Sequence, residues 1–188
     1  PYIFSQAIRF YKDGFPWPMA PLPLVFPEDE QVHGRENNVD RGYQWMIGDA
    51  LLATPLYGED YETSNTRNVY LPEGTWIEYE SGEQYTGPQM LSGFKLPLEK
   101  IPLFVGGTGI VVEGVDDGLR ARIYPVTQSA ESVFYGKDGE TTSTITIENP
   151  DWSKIEVIDK TNGNTVNIKK KRHAYEFDLV TGHDYTIQ

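Results

Sequence analysis

Glu28, Asp29 and Glu30 form an unbroken acidic triplet, with His33 and Arg35 close behind. Carboxylates beside an imidazole are residue types that acid–base chemistry uses. The triplet follows an apolar run and opens a polar stretch, "PEDEQVHGRENNVD", long enough to suggest function or disorder. The same residues also suit a solvated loop in which Asp29 accepts from local backbone amides. From the residues alone the second reading is the stronger.

Other groups are weaker candidates. His33, His173 and His183 are scattered, with no i, i+4 pair, so they read as surface histidines and no metal site is expected. Asp116–Gly118 and Lys137–Glu140 resemble fragments of calcium loops but lack the alternating ligands, and read as turns. The one basic cluster, Lys169–Arg172, lies between two short β-prone segments without interleaved aromatics, and reads as a solvated hairpin. Trp152, in "NPDWSK", is flanked by polar turn residues. An exposed indole there could stack on a sugar, as in a carbohydrate-binding module; a buried one would serve structure only.

Composition narrows the classes. With 188 residues, the chain can form one full domain, or one small domain and part of another. A net charge of -12 argues against nucleic acid and against anionic membranes, and suits neutral partners such as sugars. No cysteine is present, which removes disulfides and thiolate chemistry and leaves the compartment undecided. No apolar run approaches the roughly 20 residues of a membrane span. The chain opens on Pro1 rather than Met, so a processed chain or a fragment is expected.

The elements follow from patterning. Ile3, Phe4, Ala7, Ile8 and Tyr11 recur at helical spacing, with Gly14 placed to end the helix. Met19 to Phe26 is apolar but broken by Pro21 and Pro23, so a short or irregular strand is expected. "DRGYQWMIGD" predicts a short helix capped by Asp40 and ended near Gly48, and "ALLATPLY" a buried strand. "RNVYLPEGTWIEYESGEQYTG" reads as a strand, a tight turn, a second strand, another turn and the start of a third. Short β-prone segments then recur to the C-terminus, separated by Gly-containing turns such as "GKDGET" and "KTNGNT". A helix and strand with an apolar run cannot bury both faces alone. They look like the end of a parallel α/β unit.

The order of these phrases carries more than their composition. "PYIFSQA", "PMAPLPLVFPED", "RGYQWMIGDALLATPLY", "RNVYLPEGTWIEYESGEQYTG" and "LPLEKIPLFVGGTGIVV" together resemble family 31 glycoside hydrolases, over Pro1 to about Val112. Two positions depart from that family's usual pattern: Ala20 stands where arginine precedes "PL", and Val25 where glutamate precedes "FP".

The resemblance implies a mainly β chain: antiparallel β-sandwich units preceded by the last α/β elements of a (β/α)8 barrel. The implied division is 1–50 for the barrel's end, 51–113 for a proximal sandwich and 114–188 for a distal β-unit. It implies a retaining α-glycosidase that needs no cofactor and acts on an oligosaccharide or glycoside. The catalytic aspartates would lie on an upstream barrel, so no catalytic residue is assigned here. Asp29 and His33, with Arg35, could touch the sugar as part of a pocket rim, because loops after barrel strands gather at the active-site mouth. Leu71, Trp76, Ile101 and Phe104 are expected in the core.

Overall fold

The computed structural model describes residues 1–33, 43–55, 65–95, 101–116 and 118–188. Helix α1 (Tyr2–Asp13) forms where the spacing placed it and ends at Gly14, whose N–H donates to the Phe10 carbonyl at 2.8 Å. Its packing is inverted. Tyr2, Ser5 and Gln6 face inward, while Ile3, Phe4, Phe10 and Tyr11 are exposed, Tyr11 to 87%. The inward side is held by polar bonds: the Tyr135 amide donates to Ser5 Oγ at 3.0 Å, which itself donates to the Pro1 carbonyl.

The run Met19–Phe26 gives the short strand its prolines predicted, β1 (Ala20–Pro21), followed by an unforeseen single turn of helix, α2 (Leu22–Val25). Pro21 and Pro23 withhold the ladder donors that a longer strand would need. "QWMIG" is no helix but strand β2 (Trp45–Ile47), paired antiparallel with β1 and with β3 (Leu51–Ala53). The proposed cap Asp40 lies outside the described residues.

The expected three-strand meander is a single long hairpin. Strand β4 (Thr66–Glu78) runs through "PEG" without turning, and β5 (Gln84–Lys95) returns beside it. Register shifts fall between Arg67 and Val69 and between Leu71 and Gly74; the second spans Pro72 and Glu73, so "PEG" is a bulge and not a corner. With β6 (Leu103–Val105), these strands complete a six-stranded sheet in the order β1-β2-β3-β6-β4-β5. Strands from both sides of residue 50 share it.

Strands β7 (Ile110–Val115), β8 (Gly118–Ile123), β13 (Lys169–Lys170) and β14 (Tyr175–Leu179) make a four-stranded sheet. A five-stranded sheet contains β9 (Ser129–Tyr135), β10 (Thr142–Glu148), β11 (Val157–Asp159), β12 (Asn164–Thr165) and β15 (Tyr185–Ile187). Pairing is antiparallel except between β10 and β15. The fold is therefore β-rich, with antiparallel sheets.

Two cores follow from the strand period of two. Leu52, Leu71, Trp76 and Phe104 point into one core with Leu22 and Val32. Leu51, Ile77 and Val105 point from the same sheet into the other, with Ile110, Ile123, Phe134, Ile145 and Ile187. Of the four expected core residues, Leu71, Trp76 and Phe104 are buried, whereas Ile101 is 57% exposed.

Candidate functional site

The acidic loop that holds Asp29 is braced from two sides. Asp29 caps the 3-10 turn Glu30–Val32: its Oδ1 accepts from the Gln31 amide at 2.9 Å, and its Oδ2 accepts from the Tyr70 hydroxyl at 2.6 Å. Val32 is buried beneath the turn, and a ring nitrogen of His33 lies 2.9 Å from the Pro27 carbonyl. Both carboxylate oxygens of Asp29 thus join strand β4 to the loop. Glu28 and Glu30 are exposed, and Arg35 lies outside the described residues.

A second polar assembly had no clear signal in the sequence. Arg9 Nη1 donates to Asp49 Oδ2 at 2.6 Å and to Gln6 Oε1 at 2.9 Å, and its guanidinium lies 3.5 Å above the Trp17 ring. The Trp17 indole donates to Asp13 at 2.8 Å. That bond, with the Phe15 amide, holds the Asp13 carboxyl below its ordinary range. Beneath, the Tyr2 hydroxyl donates to the Ile47 carbonyl and accepts from the Ala50 amide, and burial pushes its pKa up. The polar residues Ser5, Gln6 and Arg9, at helical spacing beside the apolar stripe, were the one trace available.

A third assembly joins the sheets. Arg122 reaches Glu113 at 2.6 Å and Glu176 at 2.9 Å, and donates to the Tyr79 hydroxyl at 2.9 Å. Tyr79 directly follows strand β4, so this arginine fastens the four-stranded sheet to the six-stranded one. Glu78, nearby, accepts from the amides of Glu80 and Ser81 and braces the hairpin turn.

His183 departs from the expected surface role. Its Nδ1 lies 2.7 Å from Asp159 Oδ2, joining the β14–β15 connection to the end of β11. Burial works to raise the Asp159 carboxyl, but bonds from His183 and the Thr161 amide outweigh it and hold the group below its ordinary range. A depressed folded pKa stabilises the fold fully above the unfolded value near ~3.9 and loses that stabilisation as pH falls through the lower folded value. The melting temperature of the wild type should therefore fall more steeply than that of Asp159→Asn as the pH drops below about 4. Parallel profiles in thermal melts would remove Asp159 from the acid response.

Trp152 is half-buried and stacked on Tyr175, with ring centroids 6.0 Å apart and planes at 27°. It borders a cleft with the basic run, Lys170 to Arg172. Lys137–Glu140 is a turn, closed by the Asp138 carboxylate on the amides of Glu140 and Thr141. Among the described residues no group of three or more His, Asp or Glu could hold a metal ion, and no helix is long and apolar enough to cross a membrane.

What these assemblies share is bracing: the carboxylates described so far hold amides, hydroxyls or cations and shape a β-rich scaffold. Comparison with known proteins agrees with that class. Residues 15–111 match the glycosyl hydrolase family 31 C-terminal domain. The chain belongs to glycosyl hydrolase family 31.

Similar proteins include an alpha-glucosidase from Saccharolobus solfataricus, 29% identical over 88% of this chain and 24% of its own length. A 1,6-alpha-glucosyltransferase from Sporosarcina globispora is 27% identical over 74% of this chain and 11% of its own length. A solved family 31 dextranase from Flavobacterium johnsoniae, complexed with glucose, shares the fold with a TM-score of 0.51 at 22% identity. That match covers 93% of this chain and 18% of the dextranase. The chain thus spans about a quarter or less of the length of these proteins.

Proposed function

We propose that this chain is the C-terminal part of a retaining family 31 α-glycosidase acting on terminal α-linked sugars, with α-glucosides the first substrate class to try. α-Galactosides and α-xylosides come next. The observation that carries this reading is the inverted helix α1. Ile3, Phe4, Phe10 and Tyr11 face outward while Ser5 and Gln6 face in. Met19 and Leu24 are exposed as well. An exposed apolar helix face of that kind marks a contact surface. An upstream (β/α)8 barrel is the occupant that the family relationship supports, with segment 1–50 supplying its last elements and the β-units bracing it. Hydrolysis with retention needs two carboxylates about 5 Å apart across one pocket, and those aspartates belong, in this reading, to the barrel. The reaction needs no cofactor.

The test is a graft. The chain should replace the corresponding C-terminal segment of a family 31 α-glucosidase and leave a soluble enzyme that releases nitrophenol from the α-glucoside. The same graft carrying Phe4→Asp and Phe10→Asp should lose soluble, active enzyme. The ungrafted chain should show no turnover on α-glucoside, α-galactoside or α-xyloside. Turnover by the chain alone that disappears in Asp29→Ala or Glu28→Ala would place the chemistry in the rim loop and overturn the reading.

A further inference from the structure

The cleft beside Trp152 combines features that a solvated hairpin does not need. It lies between the tip of the β4–β5 hairpin and the connection from β13 to β14, with a volume of about 230 Å³. Its floor is aromatic: Trp152 over Tyr175, the tyrosine hydroxyl donating to the Trp152 carbonyl and so tying the two together. Its rim is cationic: Lys170, Lys171 and Arg172 line it in sequence. The Lys170 ammonium lies 5.5 Å from the centre of the Tyr175 ring.

These cations are poorly neutralised. Among the described residues, only Lys171 has a carboxylate within ion-pair distance, Glu176 at 4.0 Å, and that carboxylate is already bound by Arg122 at 2.9 Å. The hairpin tip is shaped to admit the loop. His173 occupies the place where a side chain at position 82 would begin, 1.7 Å from an ideal Cβ, so only Gly82 permits the close approach. The cleft is thus built from both sides.

We propose that this cleft binds a single anionic sugar residue, one bearing a carboxylate or a phosphate. The ring would lie against the indole and the anion would meet Lys170 and Arg172, as charge-assisted hydrogen bonds favour. Size excludes a longer occupant, because ligand pockets for larger molecules run from about 300 to 1,000 Å³. Charge excludes a polyanion. A nucleic acid or an anionic membrane would extend beyond the short screening distance, about 8 Å, over a protein of net charge -12. A small anion stays within reach of the local cations. The site depends on the β-units alone and stands or falls separately from the proposed barrel.

Calorimetry and amide–indole NMR of the whole chain test it, with glucuronic acid, glucose 6-phosphate, glucose and inorganic phosphate as probes. At least one anionic sugar should bind saturably and shift the Trp152 indole signal; whichever binds tighter names the anion. Glucose and inorganic phosphate should bind at least about tenfold more weakly, as loss of a charge-assisted bond or of the ring contact implies. The exposed double variant Lys170→Gln/Arg172→Gln should weaken the sugar by at least about tenfold with an unchanged melting temperature. No saturation by either anionic sugar would overturn the proposal. So would binding that survives the double variant, or equal affinity for glucose 6-phosphate and inorganic phosphate.

Discussion

Trp76→Ala should lower the unfolding free energy by about 3–5 kcal/mol, the range for removing a large buried aromatic. The ring is 1% exposed and packs with Leu71 and Phe104 in the core beneath the six-stranded sheet. Gly106 shows how tight the fit is: a Cβ there would lie 2.5 Å from the indole. The collapse that softens many truncations is therefore limited to what glycine's neighbours allow. A polar loss is added, because the indole donates to the Pro72 carbonyl at 2.8 Å and alanine leaves that acceptor without its partner. Urea titration of the chain provides the measurement. A change below about 0.5 kcal/mol, the scale of an ordinary surface substitution, would show that Trp76 is not the anchor of this core.

Gly107→Ala should be nearly as damaging, by a different route. Gly107 has φ +54, and a Cβ there would lie 2.0 Å from the backbone oxygen of Asp49. That oxygen accepts from the Thr108 amide at 3.1 Å, while the Gly106 amide donates to the Ala50 carbonyl at 2.9 Å. The β6–β7 turn therefore clasps the β2–β3 turn through backbone alone. A left-handed alanine costs about 1–2 kcal/mol, and steric overpacking adds about 1–3 kcal/mol. The sum should be roughly 2–5 kcal/mol. The displacement also reaches the Asp49 side chain, the partner of Arg9, so α1 amides should exchange hydrogen faster than in the wild type. An unchanged urea midpoint with unchanged exchange in α1 would show that the turn yields freely.

How much of this was legible varied with the kind of interaction. Periodicity placed α1 and its Gly14 stop, and the continuous apolar run placed β3, because both signals are local. "QWMIG" misled because three consecutive apolar residues carry neither a helical nor an extended period over so short a window. Pairing with Ala20 and Pro21 on one side and with Leu51 to Ala53 on the other decides for strand, and those partners are distant in sequence. "PEG" misled for the opposite reason: its residues favour a turn, but the partner strand carries β4 straight past them. The acidic loop gave Asp29 as a backbone-binding aspartate, and the Gln31 amide fits that reading. Its bond to Tyr70, 41 residues away, had no local trace. Trp152 was legible as an indole among polar turn residues, yet the cleft needed Gly82 and Tyr175, which only the fold brings near.

The six-stranded sheet works as a party wall. Leu52, Trp76 and Phe104 furnish one room while their immediate neighbours Leu51, Ile77 and Val105 furnish the other. A one-residue slip of any shared strand would exchange the furniture of both rooms at once, so each core proofreads the alignment of the other. The same wall limits how the chain can be recombined. A crossover that exchanged the terminal β-strands alone would leave one side of the wall facing water or facing strangers. Inheritance of the two rooms is therefore linked: a descendant that acquires a new distal half must acquire, or re-evolve, every second residue of the wall it leans on.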